Sequence, residues 1–291
     1  MVPSPADQGF ALPADPRDKW ASLDAATRDA AYNNNAAVAD SPKWIEKRNN
    51  DSAAYRSAHP RCLDIAYAPA ERTAFDLFPA PDAAAPCLVF IHGGYWQRNS
   101  RQDFACFAQG LAAAGWSVAF PGYTLAPQAN IGRIVAEIGQ ALDWLADHGT
   151  PHGVAGPLII AGWSAGAQLA ALHLQHPRVV GGLAISGIYD LAPLRDTNLN
   201  DALKLTDEEI AEFSQLRLPV SQKPLIISFG SAELPTLVND SWRLHRLRSR
   251  EGAPGQILPI AGADHFSILR ELQMPEGALV RAATSLVEKW A

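Results

Sequence analysis

From residue 63 onward, short apolar runs alternate with segments of helical periodicity. The runs predict strands at Leu63–Tyr67, Thr73–Phe78, Cys87–Ile91, Ser117–Phe120, Leu158–Ala161, Leu183–Ser186, Leu225–Phe229 and Ile257–Ile260. Helical patterns lie between most of them, at Phe104–Ala114, Ile131–Asp147, Ala165–Gln175 and Asp240–Arg250, with a last one at Pro275–Trp290. Several strands are apolar at every position, which is typical of strands covered on both faces. The alternation predicts an α/β fold with a mostly parallel central sheet and helices on both faces.

Residues 1–59 differ from the rest of the chain. They are polar and rich in asparagine, with short helical patterns at Leu23–Tyr32 and Pro42–Ser57. A segment of this size and polarity cannot build its own core. Its aromatic residues, which are Trp20, Tyr32, Trp44 and Tyr55, therefore need an apolar partner on the main body. We predict an N-terminal helical arm or lid over residues 1–59, closing over the carboxyl edge of the sheet, and a main domain over residues 60–291. The alternative is an arm that packs on the far side of the main body and only adds stability.

Composition argues against several classes of partner. The 291-residue chain has a net charge of −6, and its densest basic stretch, Arg243–Arg250, is typical of a solvated helix face, so we predict no nucleic-acid partner. No apolar run approaches the roughly 18 residues that span a bilayer, so no membrane partner is expected. Residues 1–10 lack the pattern of a secretory signal, which makes the cytoplasm the expected location. A homodimer is compatible with the sequence.

Neither a metal nor another cofactor is expected. Cys62, Cys87 and Cys106 have no paired spacing. His148 and His152 stand four residues apart, but a glycine and a proline between them interrupt any helix. Glycine-rich loops of the phosphate-binding or dinucleotide-binding kind are absent from the sequence.

The sequence G-W-S-A-G at Gly162–Gly166 follows a predicted strand and begins a helical pattern. Small residues two before and two after the serine let the strand and helix backbones approach closely. The serine hydroxyl then stands above the sheet edge at a helix N-terminus, as in the nucleophile elbow of hydrolases. Ser164 is therefore the candidate nucleophile; the alternative is an ordinary glycine-rich turn.

A second motif, H-G-G-Y-W at His92–Trp96, directly follows the third predicted strand. Nucleophilic attack on a carbonyl builds negative charge on oxygen, which needs N–H donors already in place. Glycines allow a loop to direct its amides inward, as in the oxyanion loops of lipases and esterases. The candidate donors are the backbone N–H groups of Gly94, Tyr95 and Ala165. His92 is predicted to brace the loop.

The base should come last in the chain, after the nucleophile and the acid. His265 follows the last predicted strand in a G-A-D-H-F loop and is the candidate base. The other downstream histidines, which lie in helical patterns, are His173, His176 and His245.

The acid should follow the strand Leu225–Phe229. Glu233, four residues beyond this strand, is the favoured candidate, since Glu can replace Asp in such a triad. Asp240 in the next helical pattern, Asp190 after an earlier strand and Asp264 beside the histidine are the alternatives.

These residues together resemble the kynurenine formamidase (arylformamidase) family of α/β-hydrolases. The resemblance covers the chain from about residue 20 onward. It rests on the two motifs above and on Y-N-N at Tyr32–Asn34, S-A-A-Y-R at Ser52–Arg56, S-G-I-Y-D-L at Ser186–Leu191 and D-H-F at Asp264–Phe266.

The resemblance implies an α/β-hydrolase fold with residues 60–291 as the catalytic domain. It also implies hydrolysis of N-formylkynurenine to kynurenine and formate, with Ser164 as nucleophile, His265 as base and Glu233 as acid. One departure concerns the acid: the family usually has Asp followed by Ser-Pro where this chain has Glu233, Leu234 and Pro235.

The leading hypothesis is therefore a serine hydrolase that cleaves an aryl N-formyl amide through an acyl-enzyme. Gly93, Trp96, Trp163 and Tyr189 lie beside the catalytic motifs and are predicted to bind a small aromatic amide or ester. Core packing is the alternative for the three rings. A general carboxylesterase acting on small esters or aryl carbamates would use the same residues. A non-catalytic binding protein on a hydrolase scaffold is the alternative from a different class, and the complete set of motifs argues against it.

Overall fold

The computed structural model describes residues 12–290, so the first 11 residues of the predicted arm lie outside the described residues. One sheet of eight strands organises the described part. The strands are β1 Ile65–Ala66, β2 Ala74–Phe78, β3 Cys87–Ile91, β4 Ser117–Pro121, β5 Leu158–Trp163, β6 Val179–Ile185, β7 Leu225–Gly230 and β8 Gly255–Ile260. Their spatial order is β1-β2-β4-β3-β5-β6-β7-β8. The β1–β2 and β2–β4 pairs are antiparallel, and the remaining pairs are parallel.

The α-helices are α1 Ala25–Ala30, α2 Asn34–Ala37, α3 Ser41–Ala58, α4 Gln109–Ala113, α5 Ile131–His148, α6 Ala165–Leu172, α7 Asn200–Leu203, α8 Asp207–Phe213, α9 Pro235–Arg250, α10 Arg270–Gln273 and α11 Ala278–Trp290. Short 3-10 turns include Pro16–Ser22, Arg101–Ala108, Ala192–Asp196 and Ser267–Leu269. None of the helices in residues 12–290 is long and apolar enough to cross a bilayer.

Alternating residues of β3 show how the sheet divides the core. Leu88 and Phe90 pack in one apolar cluster with α4 and α11, whereas Val89 and Ile91 pack in another with α5 and α6. Because side chains alternate across a strand, the two clusters lie on opposite faces of the sheet. The prediction of a mostly parallel sheet with helices on both faces is thus confirmed.

Some predicted boundaries are wrong for local reasons. β6 begins at Val179, four residues before the predicted start, because Gly181 and Gly182 hide its apolar pattern. α9 begins at Pro235, where proline suits the first turn of a helix, and not at Asp240. The segment predicted as one helix from Phe104 is divided between the end of the 3-10 turn Arg101–Ala108 and the short α4.

The arm is attached to the main body by apolar and polar contacts: Tyr32 and Trp20 pack with one apolar cluster, Tyr55 packs against the other, and polar groups fix α3. Asp76 of β2 is fully buried and accepts hydrogen bonds from Arg56 Nε at 2.8 Å and Arg101 Nε at 3.2 Å. Ser52 Oγ donates to the Asp103 carbonyl at 2.9 Å and accepts from the Cys106 N–H at 3.2 Å. These contacts fix α3 along the 3-10 turn that follows the H-G-G-Y-W loop.

Candidate active site

The turn after β5 has the strand–turn–helix form predicted for a nucleophile elbow. Ser164 has φ 58° and ψ −123°, a conformation that non-glycine residues rarely adopt. A Cβ atom on Gly162 would lie 2.1 Å from the Gly166 carbonyl oxygen, and one on Gly166 would lie 2.0 Å from that of Ile91. The two glycines are therefore required by the close approach of β5, α6 and β3.

Glu233 and His265 are hydrogen-bonded to each other at the carboxyl ends of β7 and β8. Glu233 Oε2 lies 2.8 Å from His265 Nδ1. Its other oxygen, Oε1, accepts hydrogen bonds from Ser186 Oγ and from the Gly230 N–H, each at 2.6 Å. Both partners are buried, with 8% of Glu233 and 3% of His265 exposed. The carboxylate is thus fixed on both sides while it orients the imidazole.

The other candidate acids have different partners. Asp240 is buried and accepts hydrogen bonds from Arg17 and from the Tyr189 N–H. Asp190 forms a surface ion pair with Arg217, and Asp264 accepts from the N–H groups of the two residues after His265. Of the four carboxylates considered from the sequence, Glu233 is the one bonded to His265.

The remaining downstream histidines lie away from this pair. His173 Nδ1 contacts the Leu169 carbonyl, His176 pairs with Asp143, and the His245 ring packs edge-on against Trp242. None of the three lines the cavity that contains Ser164.

Trp163, which precedes the serine, holds the histidine loop. Its Nε1 donates a hydrogen bond to the His265 carbonyl at 2.8 Å, and the two ring centroids are 4.6 Å apart. This contact couples the elbow to the loop after β8.

The H-G-G-Y-W loop lies directly against the elbow. A Cβ atom on Gly93 would come within 2.8 Å of Ser164 Cβ. Gly94, Tyr95 and Trp96 all have positive φ angles, so the backbone turns sharply beside the serine. Within residues 12–290, the N–H groups of Gly94, Tyr95 and Ala165 donate no hydrogen bond, which leaves them available to an acceptor.

His92 braces this loop from below and is not at the cavity surface. Its ring stacks on Tyr123 at 4.3 Å between centroids and lies 5.8 Å from that of Phe104. Burial lowers the pKa of His92 to about 3. The imidazole is therefore neutral at physiological pH.

Ser164 and His265 open into one cavity of about 970 Å³. The sheet-edge side is formed by Gly94, Tyr95, Trp163, Ser164, His265 and Phe266, together with Arg98 and Asn99. The opposite side is formed by the arm, from Asp29 through Asn49, and by Asn198 and Leu199 between β6 and β7. Residues Thr206–Leu216 do not line this cavity: α8 packs against α5, and Gln215 Nε2 donates a hydrogen bond to the Gln168 carbonyl in α6.

Three predicted substrate-binding residues do not line the cavity, and these predictions are corrected. The Trp96 side chain is fully buried in the core because the positive-φ turn directs it inward. The Tyr189 ring packs over Gly187 and is also fully buried. Gly93 lies beneath the elbow, where it contacts Trp163. Trp163 is the one predicted substrate-binding residue that lines the cavity.

Sequence reasoning missed several residues of the site. Ser186, which supports Glu233, stands at the carboxyl end of β6, and this position alone could have suggested it. Asn34 and Arg48 line the cavity from the arm. The asparagine-rich composition of the arm was a signal for the first, whereas no local pattern points to the second. Within the described residues, no group of three or more His, Cys, Asp or Glu side chains could hold a metal ion.

Comparisons with known proteins agree with this architecture. A family model described as the alpha/beta hydrolase fold matches residues 88–248. The chain is 26% identical to a kynurenine formamidase of Danio rerio over 80% of this chain and 84% of that protein. It is 28% identical to a kynurenine formamidase of Salmo salar over 72% of this chain and 76% of that protein.

A solved structure of a candidate thioesterase from Silicibacter sp. is also similar. It superposes with a TM-score of 0.78 at 27% identity and covers 88% of this chain and 98% of that one. The similarity therefore extends over the sheet and most of its flanking helices.

Proposed function

Since the chain belongs to the α/β-hydrolase fold family and is a kynurenine formamidase-like hydrolase acting on amides or esters, we propose that it is a serine hydrolase of aryl N-formyl amides. In this proposal Ser164 is the nucleophile, His265 the general base and Glu233 the acid that orients it. Residues 60–291 form the catalytic domain, and the arm within residues 1–59 supplies the second side of the substrate cavity.

The observation that carries this proposal is the Glu233–His265 hydrogen bond on the wall that also holds Ser164. Because Nδ1 of the imidazole is held by the carboxylate, Nε2 is the nitrogen left to take the serine proton. The carboxylate fixes this tautomer and stabilises the imidazolium that forms.

The reaction follows from these positions. His265 takes the proton of Ser164, whose Oγ bonds to the formyl carbon, and the carbonyl oxygen becomes an oxyanion facing the free N–H groups of Gly94, Tyr95 and Ala165. The C–N bond then breaks, and the arylamine leaves with the proton from His265. Water, deprotonated by His265, cleaves the resulting formyl-serine ester to formate and restores the Ser164 hydroxyl.

The cavity suits an aromatic substrate. Its volume of about 970 Å³ lies at the upper end of the usual range for small-molecule sites. Trp163 and Phe266 supply aromatic surface beside the serine, and Tyr32 contributes from the arm. Together with the kynurenine formamidase relatives, these features favour an aryl formamide over a simple ester.

A general carboxylesterase acting on small esters or aryl carbamates is the second candidate, because the same three groups would serve it. The decisive measurement is kcat/KM for N-formylkynurenine, a simpler aryl formamide, an aryl carbamate and p-nitrophenyl acetate. We expect N-formylkynurenine to exceed p-nitrophenyl acetate by about 100-fold or more in kcat/KM. A ranking led by the acetate or the carbamate would replace the formamidase assignment with the esterase one.

The serine mechanism is tested separately from substrate choice. A phenylmethylsulfonyl or phosphonate reagent should inactivate the protein by modifying Ser164, which mass spectrometry of the peptide would locate. Dialysis against EDTA should leave the rate unchanged, since the serine route needs no metal. Loss of activity with EDTA and its recovery with zinc would contradict the mechanism.

A further inference from the structure

We propose that the arm is a positioning element for the oxyanion loop, acting through the side chain of Tyr95. The Tyr95 hydroxyl donates a hydrogen bond to the Tyr32 carbonyl at 2.5 Å and accepts one from Asn34 Nδ2 at 3.1 Å. Both partners of this hydroxyl belong to the arm, more than 60 residues before it in the chain. The inference rests on the proposed function, in which the Tyr95 N–H meets the oxyanion.

The loop needs outside support because of its backbone conformation. Gly94, Tyr95, Trp96 and Asn99 all have φ angles between 51° and 120°. For non-glycine residues, such conformations persist only where the surroundings hold them. The Tyr95 side chain is attached to the same Cα as the proposed donor N–H, so a shift of its ring would tilt that amide.

A second contact from the arm supports the other side of the loop. Asn99 Nδ2 donates to the Gly93 carbonyl at 3.1 Å, and Arg48 Nη2 of α3 lies 3.4 Å from Asn99 Oδ1. Arg48 is itself held over the Phe104 ring at 4.3 Å. The arm thus contacts the loop on both sides of the proposed oxyanion donors.

This role differs from that of a lid that contacts substrate. A lid affects only substrates large enough to reach it, because remote contacts contribute to the transition state only where the substrate makes them. An oxyanion forms on every acyl substrate, so a displaced donor lowers kcat for large and small substrates alike. Deleting an oxyanion donor costs about 10²–10³-fold in kcat. We expect a misplaced one to cost about 10- to 100-fold.

The test compares Tyr95→Phe and Asn34→Ala with Tyr55→Phe. Tyr55→Phe is the matched control, because Tyr55 is an arm tyrosine that packs on His59 and Phe78 and whose hydroxyl makes no hydrogen bond in residues 12–290. Tyr95→Phe should lower kcat about 10- to 100-fold on both N-formylkynurenine and p-nitrophenyl acetate, with little change in KM. Asn34→Ala should have a smaller effect in the same direction, and Tyr55→Phe should stay within about twofold of the wild type.

An independent readout separates positioning from general destabilisation. The affinity of a boronic acid, whose tetrahedral adduct on Ser164 places an oxygen in the oxyanion hole, should fall in proportion to kcat. The substrate Kd, measured in a Ser164→Ala background, should not change.

Three results would overturn the inference: an unchanged kcat in Tyr95→Phe, a loss confined to the larger substrate, or a loss equal in Tyr55→Phe. If Tyr95→Phe does not fold, the Asn34→Ala comparison decides in the same way. Failure of the phosphonate to label Ser164 in the wild type would instead reject the serine mechanism itself.

Discussion

The two sides of the cavity are built in different ways. The sheet-edge side, which holds the proposed catalytic residues and is here named the catalytic side, consists of backbone turns at the carboxyl ends of β3, β5 and β8. Close packing there requires the glycines around Ser164. The arm side combines polar and aromatic contacts: the buried residues of α3 are Ser41, Arg48 and Ser52, and Tyr32 and Trp20 pack with the apolar cluster that contains α5 and α6. The catalytic side is therefore specified by local backbone geometry, whereas the arm side depends on pairings between residues far apart in the chain.

Two buried carboxylates near the start of α9 show the same contrast. Glu233 is bonded to His265 and serves the catalytic side. Asp240 is bonded to Arg17 and to the Tyr189 N–H, and so joins the arm to α9 and to the loop after β6. Position after the strand favours Glu233 as the acid, but the anchoring role of Asp240 is visible only from its partners.

The largest effect is expected from removing the nucleophile. Ser164→Ala should lower kcat about 10⁶-fold, because loss of a triad nucleophile leaves only binding and oxyanion stabilisation. The melting temperature of the variant should differ little from that of the wild type. Residual activity of more than a few per cent in purified variant would contradict the role of Ser164.

The next effect distinguishes the two carboxylates. Glu233→Gln should lower kcat about 10⁴-fold, because a neutral amide no longer fixes the correct histidine tautomer. Asp240→Asn also removes one carboxylate charge, but from the group that holds the arm, and should reduce kcat by about tenfold at most. Steady-state kinetics of both variants on one substrate provides the comparison. The reverse ranking would move the acid to Asp240.

The residues of the catalytic side could be predicted from the sequence, whereas the contacts of the arm could not. Ser164, His265 and the glycines of the oxyanion loop are recognisable because each lies within five residues after a strand that its apolar run predicts. The contacts of the arm cannot be recognised in this way. Arg17 and Asp240 are 223 positions apart, and nothing in either local sequence indicates the other.

Two of the predicted substrate-binding residues lie outside the cavity for a related reason. Trp96 and Tyr189 stand beside catalytic motifs in the sequence, but proximity along the chain does not determine the direction of a side chain. The positive φ of Trp96 directs its ring into the core. Because tryptophan seldom adopts a positive φ, its presence in the sequence gives no indication of this conformation.

The anchor of the arm gives the third prediction. The Arg17 and Asp240 side chains are 7% and 1% exposed, so Asp240→Asn leaves a buried guanidinium with Asp15 as its remaining carboxylate partner. We expect a loss of about 3 kcal/mol in the free energy of unfolding, measured by urea denaturation.

The control for this prediction is a double-mutant cycle with Arg17→Met and Asp240→Asn. The double variant should be more stable than the sum of the two single losses predicts, because it leaves no unpaired charge. Additive losses would show that the two side chains do not stabilise each other.

The smallest effect concerns the pH dependence of the free energy of unfolding. Titration of His92, beneath the catalytic side, and of Asp240, which holds the arm, should change this free energy in opposite directions. Burial lowers the pKa of His92 to about 3, whereas the unfolded chain binds this proton near pH 6.5. Between these values the unfolded state holds the extra proton, so stability is lost as the pH falls, by about 2 kcal/mol from pH 7 to pH 5. Burial raises the pKa of Asp240 against the opposing effect of Arg17, so that titration acts in the opposite direction.

Burial also lowers the pKa of His173 and His245, so the test must compare a His92 variant with the wild type. The free energy of unfolding of His92→Gln should depend less steeply on pH than that of the wild type, by about 1 kcal/mol per pH unit between pH 6 and pH 4. Equal slopes would show that folding does not lower the pKa of His92, which would contradict its burial as a neutral ring.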